Sequence, residues 1–169
     1  GIPLKIAAKV DRVDTEYFAT VVRPLLDHPL VEFLGEVDDR QKGELLGQAL
    51  ALLFPIDWPE PFGLALIEAL ACGTPIIARP RGSVPEIVCE GRTGFLCETE
   101  KAMAAAVARS PALSRAACRR EFEERFSVSA MVSAYERVYE AERVRTATAR
   151  SEKPQRVSVP AHERLAGSA

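Results

Sequence analysis

Two carboxylates hold the chemistry this sequence offers. Glu60 and Glu68 lie in the stretch 57–75, DWPEPFGLALIEALACGTP. Prolines on both sides of Glu60 keep it in an extended or turning loop, because proline disrupts helix interiors and drives the residue before it out of the α region. From Leu64 to Ala71 the pattern turns helical and is apolar on every face except at Glu68. Such a helix is expected to be buried, and a buried carboxylate needs a partner, either protein or ligand. Glu60 stands just ahead of the helix N-terminus, whose free N–H groups and positive dipole end attract anions. A carboxylate at the rim, amides in the middle and a carboxylate on the helix suit a diphosphate flanked by polyols, as in a sugar nucleotide. A glycoside hydrolase also uses two carboxylates, about 5–9.5 Å apart across one bond. One carboxylate in a loop and the other two turns along a helix fit that poorly. The simpler readings are a helix-start carboxylate at Glu60, favourable by ~0.3–1 kcal/mol, and an ion pair with an arginine at Glu68.

The elements around these residues follow a βα rhythm. The apolar run Ala49 to Pro55 has the length of a buried strand, Gly73 supplies a helix stop, and Pro75 opens the next strand, Pro75 to Ala78. Upstream, Leu4 to Ala8 reads as a first strand with Lys9 at its C-terminal end, where ligands bind in open parallel sheets. A helix is expected from Asp14 to Asp27, with a kink or early break at Pro24. Val31 to Leu34 reads as a second strand. Asp38 or Asp39 then caps a helix to about Gln48, on which Arg40, Gln41 and Lys42 read as a solvated face. Arg79 and Arg81, after the fourth strand, are candidates for a cleft that takes an anion. Phe95 to Cys97 is a short last strand, and the chain is helical from Glu100, with Met131, Tyr135, Val138 and Tyr139 expected to pack. Alternating strands and helices with short links predict an α/β fold with a Rossmann-like, doubly wound parallel sheet, followed by C-terminal helices.

The run Glu60 to Pro75 resembles the E-x7-E signature of family four glycosyltransferases. Both glutamates are present, with Pro-Phe-Gly after the first and Gly-Thr-Pro closing the helix. The turn from Arg79 to Glu86 is similar to that family's Gly-Gly/Ser-x-Pro-Glu segment. The resemblance covers about residues 4–142. It implies the C-terminal, donor-binding half of a GT-B fold and retaining transfer of a sugar from a nucleoside diphosphate to an acceptor hydroxyl, without a metal or other cofactor. It implies that Glu60 holds donor-sugar hydroxyls as the catalytic carboxylate. Preorganised donors around Phe62, Gly63 and Leu64 would stabilise the leaving diphosphate, Glu68 would take the ribose hydroxyls, and Glu36 and Val37 would lie by the base. Lys9 would add charge. The resembled domain has one more strand before Leu4, central in the sheet, whose loop carries the arginine and lysine that clamp the diphosphate. Without it, the neighbouring strands either close up or keep open edges, and poor independent stability is expected. The acceptor-binding N-terminal domain would be a further partner. The acceptor itself, a sugar or a lipid-linked sugar, is not named by these residues. The alternative is a module that binds a nucleotide sugar, or a protein partner, without chemistry.

Composition narrows the classes. The net charge is −2, which gives no footprint for nucleic acid. The start, Gly-Ile-Pro-Leu-Lys-Ile, has neither an initiator Met nor a signal-peptide shape, and it reads as an internal fragment. Four cysteines without C-x-x-C spacing suit reduced thiols in the cytoplasm better than a metal or disulfides. Residues 143–169 carry +4, against −6 for the rest. That segment is expected to be a solvated, disordered tail following a domain of residues 1–142, with at most a weak contact to a membrane surface.

Overall fold

The computed structural model describes residues 1–151. They fall into two units, Gly1–Ser127 and a second that begins at Val128. The first holds five parallel strands: β1 (Leu4–Ala7), β2 (Val31–Gly35), β3 (Leu52–Phe54), β4 (Ile76–Ala78) and β5 (Gly94–Leu96). They form two sheets instead of one. β1 pairs with β2, and β3, β4 and β5 run in that order. Among the described residues, β1 pairs with no strand but β2, and β3 with no strand but β4.

β4 is the centre of the second sheet and shows why it is doubly wound. Its three residues are fully buried and alternate between two cores. Ile76 and Ala78 face a cluster with Leu66, Leu70, Val84 and Cys118. These come from α3 (Leu64–Ala71), α4 (Val84–Ile87) and α6 (Arg115–Arg125). Ile77 faces the other way, towards Phe95, Met103 and Ala106, the last two from α5 (Glu100–Arg109).

The connection between β1 and β2 is not the regular helix expected over 14–27. It begins as a 3-10 turn at Arg12–Asp14, passes through α1 (Thr15–Tyr17) into a π-helical stretch at Phe18–Val22, and ends as a 3-10 turn at Arg23–Leu26. Pro24 has no N–H for the ladder, which accounts for the tightened last turn. Phe18 packs on Phe33 of β2 with ring centroids 5.0 Å apart. α2 (Asp39–Gln48) starts cleanly. Asp38 accepts from Gln41 N at 2.8 Å, and the Gln41 side chain accepts from Asp38 N at 3.0 Å, a reciprocal cap.

The second unit contains α7 (Val128–Ser151). It runs through the boundary expected at residue 142, so the basic segment is helical as far as Ser151. The remainder of the expected tail lies outside the described residues. Tyr135 and Tyr139 stack at 6.1 Å and, like Met131 and Val138, are exposed instead of packed in a core. No helix among the described residues is long and apolar enough to cross a membrane.

Candidate functional site

Glu60 and Glu68 sit on one strand–loop–helix unit, β3 to α3, and each has a protein partner. Glu60 turns back on its own loop. Its Oε1 accepts from Gly63 N at 2.9 Å and from Phe62 N at 3.3 Å. The amides expected to be free for an anion are therefore held by a carboxylate of the chain itself. Gly63 makes this turn possible. Its φ of +83° suits glycine, and a side chain there would meet Ile87 Cδ1 at 2.9 Å. Phe62 and Leu64 flank the turn and are exposed, as is Trp58.

Glu68 is less buried than its apolar helix suggests. Its side chain is 38% exposed, because Leu64 and Ala65 turn the first part of that helix face to solvent. Its partner is Lys42 of α2, whose Nζ donates to Oε1 at 2.7 Å, not an arginine. Lys42 also reaches Asp39 at 3.1 Å. The hydrogen bonds to Glu68 and then to Asp39 hold its ammonium above the usual lysine range, against the effect of burial. Lys42 had read as part of a solvated face. Its chain distance of 26 residues from Glu68 leaves no local signal for the pairing.

Lys9 and Glu36 are brought together elsewhere, at the C-terminal ends of β1 and β2. With Asp11, Arg12, Phe33 and Gly35 they line a cavity of about 780 Å³. It is an open groove, since most of the residues lining it are exposed. Lys9 is paired with Asp11 at 3.3 Å. Arg12 is a second cation in the lining, which the sequence reading passed over. Val37 is half-buried beside the cavity wall and is not part of its lining. Arg79 and Arg81 meet carboxylates, Asp57 and Glu98, each at 3.0 Å. Arg79 thus fastens the start of the Glu60 loop.

Among the described residues, no group of three or more His, Cys, Asp or Glu is gathered so as to hold a metal ion. A buried carboxylate does stand apart from the site. Glu121 of α6 is 2% exposed and accepts from Arg92, from Arg125 and from the Cys89 thiol. Burial pushes its carboxyl up, but the hydrogen bonds and the two guanidinium charges outweigh that, and the net shift is down.

Residues 18–127 match the family described as glycosyl transferases group 1. The chain belongs to that family. An N-acetyl-alpha-D-glucosaminyl L-malate synthase of Bacillus anthracis is 38% identical over 102 residues, 56% of this chain and 26% of the relative. A phosphatidyl-myo-inositol mannosyltransferase of Mycobacterium leprae is 33% identical over 87 residues, 52% of this chain and 23% of the relative. The chain thus spans about a quarter of the length of these two curated relatives. Among solved structures, Anabaena Alr3699/HepE in complex with UDP superposes with a TM-score of 0.71 at 21% identity, over 83% of this chain and 41% of that one. A sucrose-phosphate synthase from Thermosynechococcus elongatus superposes with a TM-score of 0.64 at 26% identity, over 82% and 39%. This group 1 glycosyltransferase domain therefore has the Rossmann-like α/β fold of GT-B enzymes.

Proposed function

We propose that this domain binds the nucleoside-diphosphate sugar of a retaining, metal-independent glycosyltransferase. The observation that carries the reading is the seat of Glu60. Its carboxylate occupies the Phe62 and Gly63 amides at the start of α3, an anion site made from backbone. A donor diphosphate would compete for those amides. Its arrival would release the Glu60 carboxylate to accept from hydroxyls of the donor sugar. The amides then stabilise the charge that grows on the leaving diphosphate, which is electrostatic catalysis by preorganised donors. Glu68, held in place by Lys42, accepts from the ribose hydroxyls. Glu36 and Val37 lie towards the base, and Lys9 and Arg12 add positive charge at the β1 end. The retaining course and the independence from a metal rest on the E-x7-E resemblance. Four unpaired cysteines fit a cytoplasmic setting.

Titration with UDP, GDP and ADP tests the reading. One nucleotide is expected to bind, and Glu68→Ala is expected to weaken it about tenfold, the loss of hydrogen bonds to a charged group. If none of the three binds, the donor-site reading falls. Binding in this chain and in every longer form without sugar transfer would favour the non-catalytic module.

A further inference from the structure

We infer that Gly82 is a positioning residue for Glu60, acting through the backbone of the loop that carries it. The inference rests on the proposed role of Glu60 as the donor-sugar contact. Gly82 lies in the turn between β4 and α4, and its φ is +58°. A Cβ at this position would sit 2.2 Å from the Glu60 carbonyl oxygen, 2.4 Å from Glu60 N and 2.8 Å from the Pro59 carbonyl carbon. All three are main-chain atoms, so no rotamer change could relieve the overlap. The adjacent residue adds a hydrogen bond: Ser83 N donates to Glu60 O at 2.8 Å.

The loop needs this outside support for a local reason. Pro59 and Pro61 have no N–H, so the loop can form few main-chain hydrogen bonds of its own. The β4–α4 turn supplies what is missing. It is itself fixed, by Arg81 N to Arg79 O at 2.9 Å and by the Arg81–Glu98 pair. Arg79, at its base, fastens Asp57 three residues before Glu60. The turn therefore sets where the Glu60 Cα stands while leaving its side chain free to turn. Its carboxylate meets Gly63 N only from the right starting point, and donor-sugar hydroxyls would face the same constraint. The Gly-Ser step within Arg81 to Glu86 thus has a role beyond opening a helix.

Two readouts test this on the chain as it stands. The first needs no ligand: the amide resonance of Gly63 in a proton–nitrogen correlation spectrum. Glu60→Ala removes the acceptor and is expected to shift that resonance upfield. Gly82→Ala is expected to shift it the same way, while the Ile77 amide of β4 stays in place. Ser83→Pro is a second turn variant: it removes the N–H that holds Glu60 and sets the proline ring Cδ against the same carbonyl oxygen. An unmoved Gly63 resonance in both turn variants overturns the inference. The second readout is the preference for the glucose-bearing form over the free form of the nucleoside diphosphate that the titration selects. Glu60→Ala is expected to lose about tenfold of it, Gly82→Ala about as much with the free nucleotide bound no more weakly, since the Gly63 amide is released, and the double variant no more than either. Additive losses would overturn the coupling. If Glu60→Ala keeps the preference while Gly63 still responds, the donor-sugar role of Glu60 fails, and with it the functional half of the inference.

Discussion

β1 and β4 are both parallel strands of a βα unit, yet Leu4 of β1 is 38% exposed while Ile76, Ile77 and Ala78 of β4 are fully buried. The contrast extends to the chain around them. No residue from 1 to 45 is buried, whereas every buried apolar residue described lies between Leu46 and Cys118. Strand pairing explains part of this. β4 has a neighbour on each edge and helices on both faces, while β1 has a neighbour on one edge. Apolar surface explains more. Val13 and Leu25, on the connection between β1 and β2, are 90% and 76% exposed. The proposed donor site draws on both regions, with Glu60 and Glu68 on the packed one and Lys9 and Glu36 on the open one. Ligand contacts commonly come from the less stable parts of a fold, supported by a rigid scaffold.

The contrast breaks if the two halves respond alike to truncation. Leu70→Ala, inside the packed half, is expected to cost about 2–5 kcal/mol, the range for a buried leucine with its cavity. Ile6→Ala in β1 should cost below about 1 kcal/mol, since that site is only half-buried. Urea unfolding of both variants makes the comparison, and equal losses would abolish it.

A second test concerns pH. Glu121 belongs to the packed half, and its folded-state carboxyl is held below its unfolded value. Its contribution is therefore complete above the unfolded carboxylate range and is lost as pH falls through the lower folded value. Melting temperature followed from pH 6 downward should drop less steeply for Glu121→Gln than for the unaltered chain. A parallel fall would show that the carboxylate adds nothing to acid sensitivity.

The smallest effect should come from the open half. Lys5 and Glu32 form an ion pair across β1 and β2 at 3.3 Å, with both side chains more than half exposed. Lys5→Ala is expected to change stability by less than about 0.5 kcal/mol, as exposed pairs do. A loss near that of Leu70→Ala would mean that the β1–β2 pair is held more tightly than its burial indicates.

The features repeated within a few residues were the ones that sequence could supply. Strand alternation, the helix from Leu64, its stop at Gly73 and the E-x7-E spacing are all local patterns, and the structure reproduces those elements. The two sheets, the Lys42–Glu68 pair and the burial of Glu121 were not legible. Each depends on how elements meet, and a charged run such as 119–125 reads as solvated until a neighbouring turn brings Arg92 and Cys89 against it. The irregular segment 12–26 was legible only as a break near Pro24. The return of Glu60 to Gly63 N was missed although it spans three residues. The helix start invited an external anion, and a carboxylate close enough to reach it had been assigned to the rim.

Arg115 gives the packed half a kinetic character. From the first turn of α6 its guanidinium donates to Gly47 O at 2.8 Å, Ala49 O at 2.7 Å, Cys72 O at 3.2 Å and Thr74 Oγ1 at 3.0 Å. The partners lie 41 to 68 residues earlier in the chain. None of these bonds can form until the ends of α2 and α3 and the start of α6 have converged. Such a latch is expected to close late, so Arg115→Ala should speed unfolding, followed in urea, while leaving the folding rate nearly unchanged.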